Sequence, residues 1–491
     1  MKLFSNLLRI EYIFLFLILF GALFVRLYKI ESPLADWHSW RQVDTASVSR
    51  FFVEDYIDLL HPRYHDISST ATSYENPKGW RFVEFPIFNA LHALLFKTFD
   101  KFSFEGWGRL VAALSSLIST VFIYLIGRRF FGSAVGIFAA FFFAFLPFNV
   151  YFSRVILPEP LAIELILVSL WFFILWIDKE QFWLLFVSSV SFALALLVKP
   201  FVIFYAVPML YLAITKFGIK GMILHPKLWM FFCISLIPFF FWRGWMNQGQ
   251  YLVGIPHWTW AFNGDEIRFK PSFWWWIFQE RLGKLILGGW GLIPFVAGLT
   301  ARTKGKFPWF LHALVAGQIA YVSVIATGNV RHDYYQTFLI PVVALVAGYG
   351  TLLFWKLDLG EVILRRIAIV GCIVFALAFG VYQVKEFYKI NHPEIILAGT
   401  AVDKLTSKDA LVIAPYNGDT AFLYQTKRRG WAYVTLPIEK MVKLLGAQYY
   451  VSVNYDKQTK EIMEEYTVIE QRNEYVLVDL RKSNPARKTK L

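Results

Sequence analysis

Along most of the chain, apolar positions form long unbroken runs, and eleven of these approach the about 20 residues that carry a helix across a bilayer. They lie near 11–30, 107–127, 133–152, 159–177, 181–198, 200–215, 228–242, 284–299, 309–327, 336–355 and 366–384. Shorter apolar stretches at 85–96 and 272–278 predict interfacial or re-entrant pieces, which brackets the expected spans at 11–13. After about residue 390 the pattern changes to that of a small α/β domain. There 410–415, 431–436, 448–453 and 474–480 read as strands, while 437–445 and 457–466 read as helices. The expected fold class is a polytopic α-helical membrane protein followed by a small C-terminal α/β soluble domain. Its expected divisions are a membrane domain over 1–389 with external loops 31–106 and 243–283, a domain over 390–482, and a disordered basic tail over 483–491.

Composition agrees with the pattern. With 57% hydrophobic and only 17% charged residues, the chain cannot be a soluble globule. The net charge of +14 would suit a nucleic-acid partner, but the Lys and Arg sit mostly in short loops between apolar runs, which points to membrane topology and anionic lipid. Nucleic acid is therefore not expected. Cys233 and Cys372 both lie inside apolar runs and predict buried small hydrophobes without a disulfide framework. The first run lacks a small-residue cleavage site and reads as a retained signal anchor.

Basic residues set the orientation. Lys2 and Arg9, Arg128 and Arg129, Lys179, Lys216, Lys220 and Lys227, Arg302, Lys304 and Lys306, and Lys356, Arg365 and Arg366 all fall in alternate short segments. The positive-inside rule then places the N-terminus in the cytoplasm of a plasma or inner membrane and the C-terminal domain on the external, periplasmic side. This assignment sends every conspicuous polar constellation to the external face. Foremost is the segment Pro33-Leu34-Ala35-Asp36-Trp37-His38-Ser39-Trp40-Arg41-Gln42-Val43-Asp44-Thr45. The others are Glu84 before Pro86, Arg154 with Glu159, Lys199-Pro200, and Arg331-His332-Asp333-Tyr334-Tyr335. Their convergence on one face suggests a single active site assembled from several loops.

Several segments, in order, carry a resemblance. Pro33-Leu34 precedes the acidic cluster and an Ala46-containing helix; Glu84-Phe85-Pro86-Ile87-Phe88-Asn89 runs on to Leu94-Leu95-Phe96-Lys97. Arg109-Leu110 leads to Gly127-Arg128-Arg129-Phe130-Phe131-Gly132, and Ser153-Arg154, Pro158-Glu159-Pro160-Leu161 and Leu197-Val198-Lys199-Pro200 follow. From Pro33 to about Leu212 the chain resembles the GT-C fold polyprenyl-phosphate-dependent glycosyltransferases, in particular the lipid A aminoarabinose transferases and, more distantly, the protein O-mannosyltransferases. The family's second-motif lysine is Phe85 here, and its acidic doublet in the first loop is absent.

What the resemblance implies is transfer of a hexosyl or pentosyl group from a polyprenyl-phosphate carrier to an acceptor hydroxyl on lipid A, another envelope glycan or glycolipid, or a protein. Such a step needs a base for the acceptor hydroxyl, for which Asp36 is the first candidate and Asp44 the second. It also needs cations where the leaving phosphate gains charge, a task suited to Arg154, Lys199, Arg331 and His332. His38, Arg41, Glu84, Glu159 and Tyr335 complete the expected substrate-binding set. The plainer alternatives are that Asp36 and Asp44 cap a helix starting near Thr45, that Arg154 pairs with Glu159, and that Lys199 snorkels. Asp36, His38, Asp44, Glu84 and His332 are the groups a divalent metal would draw on, but no diagnostic ligand spacing assigns one. A transporter or flippase of a lipid-linked substrate would show internal repeats, which are not evident. An envelope sensor or assembly protein would leave the gathered acid and base groups unexplained.

Overall fold

A computed structural model describes residues 2–68, 76–248, 260–300, 305–357 and 361–484. The chain divides into two compact units that interleave along the sequence: Met1–Ile30, Arg109–Trp245 and Ile255–Glu386 form a membrane unit, and Glu31–Gly108, Met246–Gly254 and Phe387–Leu491 form a second unit.

The membrane unit is helical. Each of the eleven apolar runs coincides with helix, and among the described residues six helices are long and apolar enough to cross a membrane. These are Phe104–Phe131, Glu159–Lys179, Pro200–Ile223, Pro226–Met246, Asp333–Lys356 and Val362–Tyr388; Ser133–Phe145, Phe182–Val198 and Phe310–Val324 are shorter apolar helices. Three runs are interrupted, the last of them, 309–327, at Ile325 between Phe310–Val324 and Ala326–Arg331. The first breaks where Leu146 leaves helical geometry ahead of Pro147, whose missing N–H suits a helix start. The second breaks between a π-helix, Trp276–Ile286, and the helix Leu292–Thr300. Gly288 makes that turn possible, because its φ is 57° and a Cβ there would meet the Ala376 carbonyl oxygen at 2.1 Å. Small residues also set helix contacts: a Cβ on Gly350 would lie 1.7 Å from the Pro294 carbonyl oxygen, so the two backbones touch directly.

The second unit contains a five-stranded sheet in the order β2-β1-β3-β5-β4, with β1 Leu411–Ile413, β2 Arg429–Trp431, β3 Tyr449–Ser452, β4 Tyr466–Gln471 and β5 Val476–Ser483. β1 pairs in parallel with β2 and β3; β5 runs antiparallel to β3 and β4. Ile413, Trp431, Tyr450, Val476 and Val478 fill the core against the helices Ile438–Leu445 and Lys457–Glu465. The strand expected at 431–436 ends at Trp431, and β4 begins where the sequence had predicted the close of a helix. Two helices went unforeseen, Glu394–Leu405 and Thr420–Gln425. β5 continues through Ser483, and residues 485–491 of the expected basic tail lie outside the described residues.

The segment 31–108 belongs to this sheet-bearing unit. Ile67 is part of the sheet's core, its N–H donates to the Gly430 carbonyl at 2.9 Å, and the Gly430 N–H donates to the His65 carbonyl at 3.1 Å. The segment thereby pairs with the otherwise open edge at β2.

Candidate active site

In the second unit the candidates cluster around the helix Ser39–Glu54. It begins six residues before the expected start at Thr45, which overturns a capping role for either aspartate. Its N-cap is His38, in left-handed geometry (φ 54°, ψ 36°) and without a side-chain cap. Every residue from Arg41 to Phe52 is buried although the stretch is largely polar, so its polar groups need internal partners.

Those partners are present. Arg41 pairs with Glu84 and donates to the Thr45 hydroxyl at 3.1 Å. Asp44 accepts from Arg81 at 2.8 Å and from the Thr420 hydroxyl at 2.7 Å, which ties the helix to the start of Thr420–Gln425. Arg50 stacks on the Tyr424 ring at 4.0 Å and pairs with Glu105 at 3.3 Å. Asp36 is buried, and its Oδ1 accepts from the Gln42 amide at 2.7 Å. Among the described residues no cation pairs with Asp36. The His38 ring meets Trp37 and Trp40 edge-on at 5.1 and 6.5 Å, and Trp37 lies flat on Phe387 at 4.9 Å.

Burial around this helix shifts several groups. It pushes Asp66 up to about 6 against two hydrogen bonds from Ser68, and pushes Asp419 up to about 6, with the Asp44 charge adding to both. It drives His65 well below the usual imidazole range, helped by Arg50, Arg429 and Arg428. His92 falls to about 4 for the same reason.

In the membrane unit each candidate sits at a break between helices. Lys199 is extended (φ −156°, ψ 110°) between Phe182–Val198 and the 3-10 turn Pro200–Tyr205, and its ammonium pairs with Glu159 at 2.8 Å. Glu159 opens the helix Glu159–Lys179 behind Pro158. The expected Arg154–Glu159 pair is thus replaced by Lys199–Glu159, while Arg154, 1% exposed, donates to the Lys29 carbonyl at 2.8 Å. Arg331 is exposed beside the Trp260 ring. His332 is extended between Ala326–Arg331 and Asp333–Leu339, 5.5 Å from Trp260 and stacked on Tyr334 at 5.4 Å. Tyr335 rests against Phe201 at 5.0 Å, two residues after Lys199, so the Lys199 and His332 breaks share one aromatic wall.

Sequence reasoning missed Gln42, Arg81, Thr420 and two acids with raised pKa, the buried Asp66 and the half-buried Asp419. Gln42 stood inside the quoted 33–45 segment and Arg81 three residues before Glu84, and neither was given a role; Thr420, 376 positions from Asp44, gave no local signal. As for a metal, among the described residues no three His, Cys, Asp or Glu groups could hold an ion. Of the groups a divalent ion would draw on, Asp44 and Glu84 are each already held by a cation.

Residues 84–245 match the family model for dolichyl-phosphate-mannose-protein mannosyltransferase. Curated protein sequences give no match. Among solved structures, ArnT from Cupriavidus metallidurans bound to undecaprenyl phosphate is similar at 13% identity and a TM-score of 0.65, over 94% of this chain and 97% of that one. Oligosaccharyltransferase from Archaeoglobus fulgidus, in complex with zinc and sulfate, is similar at 14% identity and a TM-score of 0.55, over 89% of this chain and 67% of that one. Mycobacterial arabinofuranosyltransferase AftD gives 13% identity and 0.57, over 96% of this chain and 41% of that one. At such identities the likeness establishes the fold: the chain is built on the GT-C plan.

Proposed function

We propose that this GT-C-fold chain is a membrane glycosyltransferase that moves a sugar from a polyprenyl-phosphate carrier to an acceptor hydroxyl on the external face of a plasma or inner membrane. The observation that carries the reading is the likeness, along almost the whole chain, to an ArnT structure holding undecaprenyl phosphate. The acceptor oxygen attacks the anomeric carbon, the bond from that carbon to the phosphate oxygen breaks, and the polyprenyl monophosphate leaves with the electron pair. The acceptor's proton passes to a carboxylate, and the leaving group's charge rises from about one to nearly two negative units.

The environments of the two aspartates favour Asp36 as the base. Its carboxylate is buried and oriented by an amide, which leaves it lone pairs for a proton, whereas Asp44 is occupied by Arg81 and Thr420. Lys199, Arg154, Arg331 and His332 supply positive charge and donors for the phosphate, with Arg suited to bidentate contact and Lys to a point charge. Glu159 holds the Lys199 ammonium in place, and Tyr335 with Phe201 walls the same break. His38, Arg41 and Glu84 shape the entrance to the buried polar helix and remain proposed substrate contacts. The N-terminus is assigned to the cytoplasm and the sheet-bearing unit to the outside.

The test is release of polyprenyl phosphate from an undecaprenyl-phosphate-linked sugar by the purified full chain. Transfer is expected with the wild-type protein and lost in Asp36→Asn. If Asp36→Asn and Asp44→Asn both turn over at the wild-type rate, the mechanism is wrong.

A further inference from the structure

A cavity of about 310 Å³ opens within the second unit, lined by Phe51, Tyr56, Asp58, His61, Arg63 and Trp80 among others. None of the roles assigned above uses it. Its volume falls at the lower end of small-molecule sites, roughly 300–1,000 Å³.

The lining has a definite chemistry. Four aromatic side chains, Phe51, Phe52, Tyr56 and Trp80, line it, and Tyr56 is 68% exposed. The polar groups are paired: Arg63 is bound to Asp55, and His61 Nδ1 meets Asp58 at 2.8 Å. The Arg63 guanidinium also lies 5.5 Å from the Phe51 ring, and the His61 ring 5.6 Å from Trp80, so both polar groups are set against aromatic supports. An anion would have to displace Asp55 from Arg63. A neutral polyhydroxyl ligand need not: its hydroxyls both donate to the carboxylates and accept from the guanidinium, while the C–H face of its ring lies on an aromatic surface.

We infer that this cavity binds a neutral hexopyranose unit of a glycan, and that the acceptor of the proposed transfer is therefore a glycan or glycolipid; the acceptor role rests on the proposed function, whereas the ligand class does not. Saturation-transfer NMR on the full chain in detergent tests it, with methyl β-D-glucopyranoside, methyl β-D-galactopyranoside and N-acetylglucosamine as probes and inorganic phosphate as the anion. At least one hexoside should bind, and Trp80→Ala, Arg63→Gln and Tyr56→Ala should each weaken it roughly three- to tenfold, the range expected for one aromatic or hydrogen-bonding contact. Phosphate should not compete. Tyr56→Ala, at an exposed ring, keeps the test valid should Trp80→Ala fail to fold. Lys443→Ala, on the exposed helix of the same unit, should leave binding unchanged. The inference is overturned if no hexoside binds the wild type, if the three cavity variants bind as tightly as wild type, or if phosphate displaces the sugar. Because the titration needs neither donor nor turnover, absence of transfer would overturn the proposed function and the acceptor role while leaving the ligand class decided by binding.

Discussion

The two units hold their charges in opposite ways. In the membrane unit, Lys199 and Glu159 form a pair whose side chains are 5% and 1% exposed, set at a helix break amid apolar neighbours. In the second unit, the helix Ser39–Glu54 is a dense buried polar array in which Arg41, Asp44 and Arg50 each have a charged partner and a second contact. Removing one member of an isolated buried pair strands a charge, whereas an array can partly reassign its hydrogen bonds. The lesson concerns the exception: Asp36, in the array yet held by an amide and not by a cation, is the carboxylate proposed above as the base.

The largest effect expected from this contrast is catalytic. Asp36→Asn should lower transfer by about 10²–10⁴-fold, the usual contribution of a general base, with little change in unfolding temperature, because an asparagine oxygen still accepts from Gln42. Asp44→Asn should do the reverse, lowering the unfolding temperature by weakening the Arg81 and Thr420 contacts while transfer stays within about tenfold. Turnover measured beside thermal unfolding decides it, and a reversed pattern would exchange the two assignments.

Next comes the Lys199–Glu159 pair. Lys199→Met should cost about 3–5 kcal/mol of stability by leaving the Glu159 carboxylate buried alone, and adding Glu159→Gln should recover most of it. If Lys199 also binds the donor phosphate, the folded double variant will show a raised KM for the donor. A double variant with normal donor KM would reduce the pair to a structural clasp.

How much of this was legible in the sequence follows from the same contrast. Long apolar runs found helix in every case because one local property, continuous hydrophobicity, decides it. Lys199 was conspicuous as a charge between two such runs, yet its partner was not, since Glu159 lies five residues from Arg154 and forty from Lys199. The interleaving of the units was invisible: nothing local in residues 63–67 says that they will lie along β2, more than 360 positions away. β4 was hidden because its first residue, Tyr466, also completes a helical pattern from Lys457. Polar richness around Asp36 marked a buried polar cluster but could not separate the carboxylate paired with a cation, Asp44, from the one held by an amide, Asp36.

A smaller effect tests the joint between the helix and the sheet domain. Thr420→Val removes a neutral donor to the Asp44 carboxylate while Arg81 remains, so the cost should be about 1–2 kcal/mol, read as a lower unfolding temperature. Transfer at a temperature well below unfolding should be unchanged. A loss of transfer without a loss of stability would instead place Asp44 in the chemistry.

The smallest expected effect is in pH, and its sign separates the array's acids from its imidazoles. Asp419 has a folded pKa of about 6, above the unfolded carboxylate near 4, so burial penalises its charged form. That penalty is full above pH 6 and vanishes as pH falls toward 4, so Asp419 and Asp66 make folding more favourable with acid across this window. His65 and His92 oppose them: held neutral by burial, they let the unfolded chain alone take up protons below about 6.5, which costs stability over the same range. The two contributions therefore oppose each other between pH 6.5 and 4. Asp419→Asn breaks the balance, since asparagine still caps Thr420–Gln425 through the Ala421 N–H but carries no charge at any pH. Relative to wild type it should be more stable at pH 7, by on the order of 1 kcal/mol, and lose that advantage by pH 4. An advantage that stays constant, or grows in acid, would mean that the Asp419 carboxyl is not charged at a cost in the native array.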